Sequence, residues 1–235
     1  LFTFSLLKRI EEQERKKGRQ MDRVLKAVKL MEEEKSPISG DVVCILLQEC
    51  TKKKDLRNGR RAHAILARSG LDTVSFYGDH LIRFFAACGH VSDAYKAFYQ
   101  IVSPTVYSWN SIFTANAKNG DGASSLEMYF RMQGESSVSP DRITFSCILK
   151  CCSMVGDLDV GMMIHGQVLD SGNMADSAIG NALVDMYAKC GHLRDAGHVF
   201  DRLPHRDVIS WGAIIGGYAI QGHGQKALSL YHKML

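Results

Sequence analysis

No apolar run in this 235-residue chain approaches the roughly 18 residues of a membrane-spanning helix, so no span is expected. Charge of one sign is not in excess. The 29 Lys and Arg against 25 Asp and Glu leave +4, which is compatible with nucleic acid but too weak to argue for it alone. No secretory signal is visible. None of the nine histidines has a Glu two residues on, and no Cys-x-x-Cys occurs; Cys147 and Cys151 are one residue too far apart. That removes the zinc-and-glutamate arrangement a nucleobase deaminase needs. No Ser-His-Asp order and no nucleophile elbow stands out. The expectation is a catalytically silent chain with no metal ion and no cofactor.

The seven cysteines do not read as a disulfide scaffold. Cys44, Cys50, Cys147, Cys151 and Cys152 lie in apolar helical runs, and Cys88 and Cys190 each precede a Gly that ends a helical pattern. Small buried thiols and a reducing compartment fit this better than bridges. Cys88 with His90, and Cys190 with His192, supply two candidate ligands each where a structural zinc needs four, so helix-end packing is expected there. The chain begins at Leu1 without Met and stops at Leu235 inside a unit, so a fragment of a longer protein is expected.

What is present is a repeat. A shift of 102 residues lays the second half on the first without gaps. Ser108-Trp109 meets Ser210-Trp211, Cys88-Gly89-His90 meets Cys190-Gly191-His192, and His63 meets His165. Phe98 meets Phe200, and Gly120, Gly122, Leu126, Tyr129 and Met132 meet Gly222, Gly224, Leu228, Tyr231 and Met234. Fixed-period self-similarity marks a stacked array, which moves the search for function from one pocket to a long surface.

The block divides further, into 40–74, 75–105 and 106–141, then 142–176, 177–207 and a partial 208–235. Each reads as two helices with a tight turn. In 106–141, Trp109, Ile112, Phe113 and Ala117 recur at helical spacing and Asn119-Gly120-Asp121-Gly122 breaks the pattern. Leu126, Tyr129, Phe130 and Met132 mark the second helix, and Ser139-Pro140-Asp141 ends the unit. In 177–207, Ala182, Leu183, Met186 and Tyr187 mark the first helix and Cys190-Gly191 stops it. Leu193, Ala196, Val199 and Phe200 mark the second. An amphipathic pair cannot bury its apolar face alone, and stacking supplies the missing cover. The expected fold is all-α, a right-handed superhelical solenoid of stacked helix-turn-helix repeats. Residues 1–39 differ: interleaved charges precede Met21, Val24, Leu25, Val28 and Met31, so 19–34 is expected to be the second helix of a degenerate earlier unit, after a solvated charged segment.

Tetratricopeptide units hold a period of about 34 residues and a pattern absent here. The stretches Val208-Ile209-Ser210-Trp211, Gly216-Gly217-Tyr218-Ala219, Gly222-His223-Gly224-Gln225-Lys226-Ala227-Leu228 and Asn181–Gly191 instead resemble the pentatricopeptide repeat family of plants. The match is to the subclass that alternates long, short and ordinary motifs, and it covers 40–235. The resemblance implies sequence-specific binding of single-stranded RNA in chloroplasts or mitochondria, one base per repeat, most often as a specificity factor for cytidine-to-uridine editing. It implies single-stranded RNA as partner, with organellar editing accessory proteins as further partners and no membrane.

Residue by residue, the resemblance implies that the fifth residue of the first helix and the last residue of the motif read the base together. Asn110 with Asp141, and Asn181 with Asp207, resemble the uridine-preferring combination. Ser146 with Asp176 resembles a purine combination leaning to guanosine. Asp79 with Thr105, and Cys44 with Val74, fit no usual combination, and Gly212 stands where a polar reader is expected. The second residue of each motif, which holds the base by stacking, is Phe76, Tyr107, Ile143, Ala178 or Ile209. The expected footprint from residue 75 onward, 5′ to 3′, is any base, U, G, U, any base. A physical reading agrees with the resemblance at Asn110: Trp109 faces the core, and the next side chain is turned about 100° around the helix. Its amide offers both donor and acceptor to a base edge. The blander readings are that the tryptophans pack in the core, that His63 and His165 pack or cap, that the Gly-x-Gly stretches are interhelical turns, and that the asparagines are ordinary polar residues. The functional alternative is a helical-repeat protein-interaction scaffold whose groove holds a peptide.

Overall fold

The computed structural model describes residues 39–134 and 138–235, together with Lys26 and Lys29. The helix expected over 19–34 lies outside the described residues except for those two lysines, which are helical and exposed, and the charged segment before it lies outside them altogether. Among the described residues the chain is all-α, with twelve α-helices and no strand. They fall in two compact units, one ending at Pro104 and one spanning Thr105–Leu235.

The first unit contains α1 (Gly40–Lys53), α2 (Leu56–Arg68), α3 (Ser75–Ala87) and α4 (Val91–Gln100), with a 3-10 turn at Leu71–Thr73. The first helices α1 and α3 pack on each other, and α2 and α4 cover them from one side. The second unit contains α5 (Val106–Lys118), α6 (Gly122–Gly134), α7 (Arg142–Val155), α8 (Leu158–Asp170), α9 (Ser177–Lys189), α10 (Leu193–Arg202), α11 (Val208–Ile220) and α12 (Gly224–Met234). A second 3-10 turn, Asn173–Ala175, follows α8. In this unit α5 packs on α7, α7 on α9, and α9 on α11, so the first helices form a continuous row with the second helices as an outer layer.

The local chemistry explains the repetition. Gly89, Gly120, Gly191 and Gly222 each take a positive φ, between 78° and 85°, in the turn between the helices of a pair. That is the left-handed conformation glycine adopts without a Cβ clash. Asp55 and Asp157, 102 residues apart, cap α2 and α8 by accepting the N–H of Asn58 and Val160 at 3.1 and 3.0 Å. Close helix contact recurs at the same interval. A Cβ on Gly59 would fall 1.9 Å from Phe84, and one on Gly161 would fall 2.4 Å from Met186. His63 meets the edge of Phe85, and His165 meets Tyr187, with ring centroids 5.6 and 5.7 Å apart, so both histidines pack as expected.

The core contains Trp109, Ile112, Phe113, Tyr129, Met132, Leu183 and Met186, all without solvent exposure. Two expected core positions differ. Phe130 is 45% exposed, because the buried side of α6 runs through Ser125, Met128, Tyr129 and Met132 and turns Phe130 outward. Trp211 is half-buried where Trp109 is enclosed; it rests edge-on against Phe200 at 4.8 Å. All seven cysteines are free thiols, and burial pushes Cys50 and Cys152 up to about 12. No helix among the described residues is long and apolar enough to cross a membrane.

Candidate nucleic-acid interface

The row of first helices in the second unit presents the same face from each member. Residues three apart on a helix are neighbours, so the second and fifth positions of each motif lie together. The second-position residues are open to solvent. Tyr107, Ile143 and Ile209 are 66, 45 and 67% exposed, and Ala178 is exposed as well. Exposing an aromatic and two large aliphatic side chains along one face costs hydrophobic stabilisation unless a partner covers them. In the first unit Phe76 is 56% exposed at the same motif position, edge-on to Tyr77 and His80.

The two asparagine–aspartate pairs meet. Asn110 Nδ2 donates to Asp141 Oδ1 at 3.0 Å, and Asn181 Nδ2 donates to both carboxylate oxygens of Asp207 at 3.1 and 3.2 Å. Sequence separations of 31 and 26 are closed because each aspartate is the N-cap of the next first helix, which packs alongside. Asp141 caps α7 through the Thr144 N–H at 2.8 Å, and Asp207 caps α11 through the Ser210 N–H at 2.8 Å. Each carboxylate thus caps one helix and fixes the asparagine on the preceding one. Burial pushes the Asp141 carboxyl up, but bonds from the Thr144 backbone and from the Asn110 and Thr144 side chains outweigh it and hold it below the usual carboxylate value. The Ser210 N–H chiefly, with the Asn181 amide, holds Asp207 low.

Both asparagines are more enclosed than the sequence suggests, at 6 and 8% exposure, because the capping carboxylate folds over the amide. An amide with one N–H committed to a carboxylate retains a second N–H and acceptor lone pairs, a donor beside an acceptor, which suits the edge of a pyrimidine base.

The other predicted readers are arranged differently. Ser146 donates to its own helix, to Arg142 O at 2.9 Å. Asp176 caps α9 through the N–H groups of Ala178 and Ile179, with the Arg142 guanidinium 3.7 Å away. Ser146 and Asp176 therefore have their hydrogen bonds within their own helices, not with each other. Gly212 is exposed and offers no side chain. Asp79 is half-buried on α3, and the N–H of Thr105, the residue before α5, is engaged by Ser108 Oγ at 3.1 Å. Cys44 is buried in α1, and its thiol is pushed up to about 11, by burial first and by Asp41 second. Val74, its predicted partner, is 45% exposed at the start of α3.

Sequence reasoning missed Thr144. Its hydroxyl donates to Asn110 Oδ1 at 2.7 Å, so the amide is held at both ends. The signal was available as the Asp141-x-x-Thr144 spacing of a capping box, which places a hydroxyl over the helix start. Among the described residues, no group of three or more His, Cys, Asp or Glu side chains is placed to hold a metal ion.

Against known proteins, residues 181–208 and 209–235 match the family model described as PPR repeat, and 99–154 match the pentatricopeptide repeat domain model. The chain is 35% identical over 193 residues to a chloroplastic pentatricopeptide repeat-containing protein of Arabidopsis thaliana, covering 82% of this chain and 31% of that one. A second pentatricopeptide repeat-containing protein of the same plant is 39% identical over 186 residues, covering 78% of this chain and 21% of its own length. Among solved structures, the chain resembles the pentatricopeptide repeat protein PPR10, crystallised with an 18-nucleotide psaJ RNA element. The TM-score is 0.69 at 18% identity, over 89% of this chain and 32% of that one. The crystal structure of PPR10 from maize superposes at a TM-score of 0.62 and 16% identity, over 91 and 36% of the two chains. At such identities the likeness concerns the fold. The chain spans about a third or less of the length of these relatives.

Proposed function

We propose that this chain, which belongs to the pentatricopeptide repeat proteins, binds single-stranded RNA along its row of first helices, reading one base per repeat. The observation that carries the reading is the pair of Asn–Asp bonds, Asn110 to Asp141 and Asn181 to Asp207, each beside an exposed second-position residue. One first helix, α7, lies between them, so two uridine-preferring positions are separated by one base. Tyr107 and Ile209 offer surfaces on which a base rests without being chosen, and the asparagine amides do the choosing. The RNA complex of PPR10 and the shared fold support the same direction. Arg and Lys side chains add sequence-independent attraction to phosphates, which weakens as salt rises.

The biological role we infer is organellar RNA processing, as a specificity factor for cytidine-to-uridine editing in chloroplasts or mitochondria, with editing accessory proteins as partners. Motif lengths alternating 35, 31 and 36 support that subclass, and relatives named chloroplastic support the compartment. The chain itself acts as a binding module and carries no catalytic step.

The test is binding of fluorescent single-stranded RNA containing U-x-U, against strands in which each U is changed to A, at two salt concentrations. Loss of affinity on changing either U, with weaker binding of every strand at the higher salt, supports the reading. Equal binding of all strands, or of none, overturns it and turns attention to peptide partners.

A further inference from the structure

We propose that Thr144 is a positioning residue that locks the orientation of the Asn110 amide and makes the base facing Asn110 better discriminated between uridine and cytidine than the base facing Asn181. This rests on the RNA-binding reading above.

The four groups around Asn110 form a closed ring. Asn110 Nδ2 donates to Asp141 Oδ1 at 3.0 Å, and Thr144 Oγ1 donates to Asn110 Oδ1 at 2.7 Å. The Asp141 N–H donates to Thr144 Oγ1 at 3.2 Å, and the Thr144 N–H donates to Asp141 Oδ1 at 2.8 Å. The single hydroxyl proton of Thr144 has two acceptors in reach, and the contact to Asn110 is shorter than the 3.0 Å to Asp141 Oδ1. Thr144 is wholly buried, so water does not compete for that proton.

The second pair lacks this arrangement. Ser210 occupies the position of Thr144, three residues after the capping aspartate and equally buried. Its hydroxyl turns to the backbone, donating to Asp207 O at 2.8 Å. Asn181 is then oriented through its Nδ2 alone, by a carboxylate that is itself exposed.

The difference matters because of what separates the two pyrimidines. Uracil presents an N3–H donor beside the O4 acceptor. Cytosine presents an N3 acceptor beside the N4 amine donor, which is the reverse. An amide rotated by 180° exchanges its own donor and acceptor and accommodates the wrong pyrimidine. At Asn181 that rotation breaks the bonds to one carboxylate. At Asn110 it also breaks the 2.7 Å bond from Thr144, whose proton is left with the longer 3.0 Å contact to Asp141 Oδ1. The short bond given up there corresponds to about fivefold in preference.

The experiment uses the full chain and its Thr144→Val and Thr144→Ser variants, with RNAs carrying U or C at each of the two positions. The expected wild-type result is a U-over-C preference about fivefold larger facing Asn110 than facing Asn181. Thr144→Val removes that excess, Thr144→Ser retains it, and the preference facing Asn181 is unchanged in both, a pattern that general destabilisation does not produce. A Thr144→Val protein with an unchanged preference facing Asn110 overturns the proposal. A second measurement needs no RNA. In the free protein the side-chain amide NMR signals of Asn110 move with Thr144→Val and return toward their place with Thr144→Ser, while those of Asn181 stay. Stationary Asn110 signals refute the lock itself. Moving signals without base preference in any strand support the lock while overturning the RNA reading and the specificity role with it.

Discussion

Replacing Asp141 with Ala isolates the double duty of the capping carboxylate. The side chain accepts the Thr144 N–H at 2.8 Å and the Asn110 amide at 3.0 Å. Losing the cap costs about 1 kcal/mol. Leaving the Asn110 amide, 6% exposed, without its acceptor costs a further ~1–3 kcal/mol. The expected loss is therefore about 2–4 kcal/mol, large beside the total stability of a small domain. Urea unfolding followed by far-ultraviolet circular dichroism measures it, in the two single variants Asp141→Ala and Asn110→Ala and in the double. The double variant should be less destabilised than the sum of the singles by roughly 1 kcal/mol or more, because the orphaned amide is gone. Asp207→Ala, at an exposed carboxylate, should lose less than Asp141→Ala. Additive behaviour of Asp141 and Asn110 would refute the idea that one carboxylate serves both helices.

Three further predictions follow from the packing and the caps. Gly59→Ala forces a methyl into the buried Phe84 ring and should cost about 1–3 kcal/mol in the same assay, while Gly161→Ala, against the flexible Met186 thioether, should cost less. Lys54 is exposed at φ 53°, where the matching position 102 residues on is Gly156, so Lys54→Gly should stabilise by about 0.5–1 kcal/mol; a lower urea midpoint would contradict that. Asp55, Asp141 and Asp207 are held below the ordinary 3.8 by their capping and side-chain bonds, so their contribution is complete above that value and lost as pH falls through it and below; urea midpoints that stay flat from about pH 6 to about pH 2 would refute the assignment.

The helix pairs were legible in the sequence because backbone conformation announces itself. Gly120 and Gly222 mark left-handed turns, and Trp109, Ile112 and Phe113 carry the helical period into the core. The meeting of Asn181 with Asp207 was legible only through the family resemblance, since periodicity says nothing about which N-cap closes over which side chain. Burial at individual edges was less legible. Phe130 and Trp211 carry the same apolar signal as Tyr129 and Trp109, but their cover depends on which neighbouring helix lies over them, which no single motif encodes. Ser146 illustrates the competition a short hydroxyl faces. Back-bonding to Arg142 O satisfies it within its own helix, at no cost in long-range ordering. Thr144 escaped notice because its role belongs to one motif and its effect to the preceding one.

The most direct test of base reading by these pairs is a one-residue recoding. Asn181→Ser gives the 177–207 repeat the Ser–Asp combination already present at Ser146 and Asp176, which the resemblance associates with guanosine. Binding of strands differing only at the base facing that repeat is compared for the wild type and the variant. A change in preference from U to G at that base, with U still preferred facing Asn110, is the predicted result. An unchanged ranking of the strands, or the same loss for every base, would contradict it.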